Sequence, residues 1–190
     1  MKKSVFSSQE AKTLCFNDSN ELLNLELHNW EKSGDLIRLK RGLYAFADAK
    51  ISKKEIAENI YGPCYFSLEY ALSSYNILPE AAFTYTLVTT RKTRQFVTPL
   101  GNFNFQTIKP EAFTGYNPQT LMAEKEKALV DWFYLNGHKF RENDLFWSEL
   151  RLETKETAFN FTKAKTFAKI FKNKMLEKLL TSFINYAKPH

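Results

Sequence analysis

The chain has two cysteines in 190 residues, Cys15 and Cys64, with no CxxC pair, and its three histidines are scattered at positions 28, 138 and 190. That scarcity argues against a structural zinc site and against a disulfide scaffold. Also missing is any run of about 18 apolar residues, so no membrane contact through a spanning helix is expected. The opening "MKKSVFSSQEAKTL" has two lysines with no apolar stretch behind them, which argues against a signal peptide and makes a cytoplasmic protein the expectation. There is no internal repeat.

The motifs of the common chemistries are missing as well: no GxGxxG, Walker loop, GxSxG, HExxH or paired metal-ligand cluster occurs. A catalytic reading would have to rest on scattered acids, of which Glu124, Glu126 and Asp131 on one expected helix are the best. Glu124 and Asp131 are seven apart and share a helical face, so they could hold a divalent cation. Surface acids paired with Lys125 or Lys127, and a cap-proximal or salt-bridged Asp131, account for the same residues without chemistry and are the preferred reading. The expectation is a protein that is not an enzyme, with no cofactor and no bound metal. Cys15 beside Phe16 and Cys64 beside Tyr65 read as small core residues rather than reactive thiols.

What is present is a globular composition, 44% hydrophobic and 25% charged, long enough for one ordinary domain or a small one joined to a medium one. Seventeen phenylalanines spread through the whole chain point to core and interface filling rather than a base-stacking cluster. The net charge of +6 is unevenly placed. Residues 1–48 hold seven Lys/Arg and seven Asp/Glu, whereas 155–190 hold eight Lys and two Glu and so carry the whole excess. Such a cluster marks a surface for nucleic acid or an acidic partner, or simply a solvated helix face.

Along the chain, Ser7 or Ser8 can cap a short helix through Cys15, and "NDSN" interrupts it. A second helix is expected over 20–32, with Leu23, Leu27 and Trp30 as its buried stripe and Gly34 as its C-cap. "LIRLKRGLYAF", 36–46, then reads as a β-hairpin turning at Gly42, with Arg38, Lys40 and Arg41 at or near its tip. A cationic tip fits a wing that meets a phosphate backbone, and equally a hairpin whose edge is kept soluble by charge. "SKKEIAENIYG" is a short helix, and Ser67 caps another through "SLEYALSSYNIL". Strands are expected at 84–90, 94–98 and 102–108 as a small antiparallel sheet, and helices from Leu121 to the end. The fold class is therefore α+β, divided near residue 50 into 1–50 and 51–190. In the final helix Met175, Leu179, Ser182 and Tyr186 are expected inward beside Leu176, Leu180 and Phe183, with Lys172, Lys174 and Lys178 in solvent.

Four blocks in this order, "HNWEKSGDLIRLKRGLYAF", "CYFSLEYALSSYNILPE", "LVTTRKTRQFVTPLGNFNF" and "EKALVDWFYL", resemble the AbiEi family of type IV toxin-antitoxin antitoxins and related transcriptional regulators. The likeness runs from Val5 to Leu135 and leaves out the lysine-rich tail. It implies an N-terminal winged helix-turn-helix followed by a C-terminal α+β antitoxin domain. It also implies a bacterial autorepressor that counters a nucleotidyltransferase-like toxin, directly or functionally; because one winged helix reads only a short half-site, two copies on inverted-repeat double-stranded DNA are expected.

Carried onto this chain, the recognition helix is 20–32 with Asn20, Asn24, Leu25, His28, Asn29 and Lys32, and the wing supplies Arg38, Lys40 and Arg41. Relatives often carry arginine or lysine where Asn24, Leu25 and Asn29 stand. Asn24 and Asn29 suit adenine edges and Leu25 a thymine methyl group. Further phosphate or partner contacts would then come from Arg91, Lys92, Arg94, Lys172, Lys174 and Lys178. The alternative is an antitoxin-like protein-binding module without specific DNA binding.

Overall fold

The computed structural model describes residues 4–15, 19–154 and 157–187. The chain is mixed α+β, with eight α-helices and two sheets among those residues. It divides into two compact units, Met1–Gly62 with Gln95–Phe103, and Pro63–Arg94 with Asn104–His190. No described helix is long and apolar enough to cross a membrane.

The first unit starts with β1 (Val5–Ser7), which runs straight into α1 (Ser8–Cys15). Ser7 and Glu10 cap that helix reciprocally: Ser7 Oγ accepts from the Glu10 N–H at 3.2 Å, and the Glu10 carboxylate accepts from the Ser7 N–H at 2.8 Å. The side chain of Cys15 lies outside the described residues. Then comes α2 (Asn20–Ser33), where Ser19 Oγ accepts from the Leu22 N–H and Gly34 ends the helix with φ of 89°, a left-handed conformation in which any side chain is strained.

The hairpin follows as β2 (Leu36–Lys40) and β3 (Leu43–Phe46), turning at Gly42 with φ of 72°. β1 pairs antiparallel with β3, Val5 opposite Ala45, so the sheet order is β1-β3-β2. Sequence pattern alone misses β1, because three residues show no period. α3 (Lys53–Tyr61), capped by Ser52, completes the unit, and its Glu55 carboxylate accepts from the Ser4 N–H at 3.2 Å. The boundary expected near residue 50 falls between β3 and α3, inside this unit.

Beneath α2 lies a cluster of Phe6, Ala11, Leu23, Leu27, Leu36 and Tyr44. Leu23 and Leu27 are buried as their spacing predicts. Trp30 is not: it is 39% exposed, because it lies in the last turn, past the cluster that Leu23 and Leu27 enter.

The chain continues through β4 (Cys64–Phe66), α4 (Leu68–Ser74), β5 (Thr84–Thr89), β6 (Arg94–Thr98), β7 (Gly101–Thr107), β8 (Tyr116–Asn117) and β9 (Met122–Ala123). The larger sheet has the order β6-β7-β5-β4-β9-β8. The three strands expected at 84–108 are present, but the sheet is mixed rather than purely antiparallel, since β4 pairs parallel with β9. The start of the helix expected from Leu121 is strand instead. Leu121 takes φ of 55° and its carbonyl accepts from the Phe66 N–H at 2.7 Å, so helix begins only at α5 (Lys125–Asn136). α6 (Asp144–Leu150), α7 (Phe161–Ile170) and α8 (Lys174–Ala187) follow.

The apolar face of α8 is rotated from its expected position. Leu176, Leu179, Leu180, Phe183, Ile184 and Ala187 are buried while Met175 and Tyr186 are exposed, and Ser182 Oγ accepts from the Trp147 indole N–H at 3.0 Å. Trp147 and Phe183 meet at 5.5 Å between ring centroids, and both lie 5.5–5.6 Å from Phe133, which sets the helix rotation through aromatic packing. Cys64 is a buried strand residue.

The polar centre of this unit holds the salt bridge expected of Asp131, made with Lys127, but buried rather than on the surface, and the cap expected of Ser67 is not made. Ser67 stands at the N-cap position of α4, yet its hydroxyl makes no cap bond and donates instead to Asp131 Oδ2 at 2.8 Å. The helix N–H that a Ser67 cap would take, that of Tyr70, is bonded instead to Thr86 Oγ1 at 3.0 Å. Tyr65 also donates to Asp131, at 2.9 Å, and Lys127 donates to Tyr65 Oη at 2.7 Å and to Asp131. All four side chains are fully buried. Burial pushes the Asp131 carboxyl above its ordinary range and the Lys127 ammonium below its own, while the Tyr65 phenol rises well above its usual value, first through burial and then through Asp131.

Replacing Lys127 with Met leaves a buried carboxylate without its cation, and urea denaturation should show a loss of about 3–5 kcal/mol. Adding Asp131→Leu to that variant should recover much of the loss. Equal instability of the single and double variants would contradict this account of the network.

Candidate nucleic-acid interface

α2 is a surface helix held by two residues. With Leu23 and Leu27 the buried positions, Asn20, Asn24, Leu25, His28, Asn29 and Lys32 are all exposed. Asn20 is already engaged, its Oδ1 accepting from Lys12 Nζ at 2.9 Å. Leu22 and Leu25 are 55% and 56% exposed, which leaves apolar surface facing water.

In the hairpin, a regular strand would put Arg38 and Lys40 on one face. The register of β2 against β3 shifts between these two residues, so the alternation breaks and Leu36 and Leu39 are both buried. Such irregularities re-aim side chains. Arg38 stays exposed, and Lys40 is turned away from it: its ammonium donates to the Ile60 carbonyl at 2.5 Å, in the last turn of α3, and lies 5.6 Å from the centroid of the Phe96 ring. Three cations expected at the tip are thus two outward arginines, Arg38 and Arg41, and one half-buried lysine that meets the negative end of a helix.

Between α2 and the hairpin is a cleft of about 350 Å³. Asn24, His28 and Glu31 line it from the helix, Arg38, Arg41 and Tyr44 from the hairpin, and Ser8 from the start of α1. Arg38 Nη1 lies 3.9 Å from Glu31 Oε2, and both side chains are partly exposed. The start of α1 is not an anion seat. Its N–H groups at Ser7, Ser8 and Glu10 are bonded to Glu10, the Gly42 carbonyl and Ser7 respectively, and the Glu10 carboxylate already occupies the positive end. The cleft therefore offers two guanidinium groups, an imidazole and an amide beside one carboxylate. Glu31, not singled out as a site residue from sequence, is recognisable only once Arg38 is known to face it.

The other candidates lie in the second unit. Arg91, Lys92 and Arg94 are exposed around the turn between β5 and β6. Lys172, Lys174 and Lys178 are exposed as expected, and Lys178 also pairs with Glu142 at 2.9 Å. Lys165 and Lys169, four apart on α7, are exposed as well. The acids weighed for metal binding are each engaged elsewhere: Glu124 with Lys163, Glu126 with the Asn160 N–H at 3.0 Å, and Asp131 in the buried network. Among the described residues no group of three His, Cys, Asp or Glu is placed to hold a metal ion.

No protein-family model matches the sequence, and a search of curated proteins found none similar to it.

The position of Lys40 separates two roles that look alike in sequence. Lys40→Met should lower the stability of the first unit by about 1–2 kcal/mol, from the lost charged hydrogen bond at the end of α3, whereas Arg41→Met should leave the melting temperature unchanged. Thermal melts of the two variants check this, and equal melting temperatures would contradict it.

Proposed function

We propose that the chain is a DNA-binding transcriptional regulator of the AbiEi antitoxin kind, with the first unit as a winged helix-turn-helix. The observation that carries the reading is the cleft in which Asn24 and His28 of α2 face Arg38 and Arg41 of the hairpin. The order β1-α1-α2-β2-β3, with β3 central in the small sheet, supports it, since a winged helix sets a helix pair beside a sheet whose last hairpin is the wing. On this reading α2 enters the major groove, Asn24 and Asn29 hydrogen-bond adenine edges, Leu25 meets a thymine methyl group, and Arg38 and Arg41 hold phosphates. Two copies on an inverted repeat supply the specificity that one short half-site lacks. The second unit counters a nucleotidyltransferase-like toxin encoded nearby, and its exposed lysines add affinity without sequence preference. No catalytic role, cofactor or metal is assigned.

A second reading, a protein-binding module without specific DNA recognition, is favoured by one feature. The outward face of α2 carries Leu22 and Leu25, each more than half exposed, and the helix holds Glu21, Glu26 and Glu31 against a single lysine. Phosphates repel such a helix, so on the DNA reading the affinity has to come from the hairpin and the lysines.

Fluorescence anisotropy with a duplex from immediately upstream of the chain's own reading frame decides between them. Arg38→Ala with Arg41→Ala should weaken binding and make the plot of log affinity against log salt shallower by up to about 0.9 per lost contact. Asn24→Ala should instead relax preference at one base pair by about 1–3 kcal/mol. Specific binding by the wild type with an unchanged salt slope in the double variant would remove the arginines from the interface. No sequence-specific binding by the wild type would favour the protein-binding module.

A further inference from the structure

Glu31 is the one carboxylate among the described residues lining the cleft between α2 and the hairpin, and it faces the guanidinium of Arg38. Their 3.9 Å separation and partial exposure make this a loose pair, open to exchange rather than locked by burial. A phosphate that engages Arg38 displaces Glu31, and the released carboxylate then needs a hydrogen-bond donor. In the major groove the donors are exocyclic amino groups, and the partner suited to a carboxylate is cytosine N4.

Resting on the DNA-binding reading, we propose that Glu31 is a specificity-determining residue that exchanges Arg38 for a cytosine amino group when the chain sits on its cognate sequence. On a sequence that offers no amino group at that place, Glu31 either retains Arg38 or lies unpaired beside the phosphates. Both outcomes weaken binding, so the residue discriminates by penalising the wrong site as well as by reading the right one. This gives a function to the negative charge on α2, which otherwise only opposes a polyanion.

The test compares the wild type, Glu31→Gln, Arg38→Gln and the double variant. Each is taken through selection from a pool of randomised duplexes and through salt titrations on one random-sequence duplex. The wild type should enrich a motif with a preferred C·G pair, and Glu31→Gln should lose that preference by on the order of tenfold. Glu31→Gln should also bind the random duplex more tightly, with a salt slope steeper by up to about 0.9, as Arg38 becomes free for one more phosphate. In the Arg38→Gln background the same change should leave the slope unaltered. An intact C·G preference in Glu31→Gln, or equal steepening in both backgrounds, overturns the exchange while leaving the DNA reading in place. A wild type that enriches no sequence overturns both. Glutamine matches glutamate in shape at a partly exposed position, and superimposable thermal melts verify that the variants fold.

Discussion

Six apolar side chains, Phe6, Ala11, Leu23, Leu27, Leu36 and Tyr44, fix where α2 lies against the three-stranded sheet, and the candidate interface depends on that packing. A helix of 14 residues anchored through only Leu23 and Leu27 keeps most of its surface in water. The same cluster takes a residue from the hairpin strand that leads to Arg38 and another from the strand that leaves the turn. Helix face and hairpin are therefore placed by one set of contacts. Loss of a large side chain there, costing about 2–5 kcal/mol in a core, would disturb stability and cleft together.

Electrostatics in the first unit are arranged by backbone as much as by composition. One register shift between Arg38 and Lys40 sends neighbouring cations of a strand to different tasks: one guanidinium faces Glu31 across the cleft, and one ammonium closes the end of α3. The second unit solves the opposite problem. There Lys127 and Asp131 are withdrawn from water altogether, and two hydroxyl groups complete their hydrogen bonds. A buried pair of this kind is weak as a source of net stability, because desolvation offsets attraction, but it is costly to break on one side only.

Much of this was legible in the sequence where a local rule acts alone. Ser19 and Gly34 bracket α2, Gly42 marks the hairpin turn, and the strands near 84–107 follow from composition. What was not legible depends on partners distant in sequence. β1 exists only through β3, the start expected for α5 is drawn into β9 by pairing with Phe66, and Ser67 leaves its cap for Asp131, 64 residues away. At the candidate interface the exposed positions of α2 were readable from its period, whereas the diversion of Lys40 was not, since alternation predicts it beside Arg38. The exposure of Trp30 and the rotation of α8 are not legible either: a stripe says which residues are apolar, not how far the core beneath them extends or which distant rings, here Phe133 and Trp147 against Phe183, they meet.

The central claim is that one cleft, between α2 and the hairpin, meets DNA. Amide and side-chain NMR spectra recorded while a duplex from upstream of the reading frame is added test it most directly. The largest shifts should fall on Asn24, Leu25, His28, Asn29, Glu31, Arg38 and Arg41, with Lys40 and the buried Tyr65 and Lys127 unaffected. Shifts confined to the lysines of α7 and α8, or no shifts at all, would contradict it.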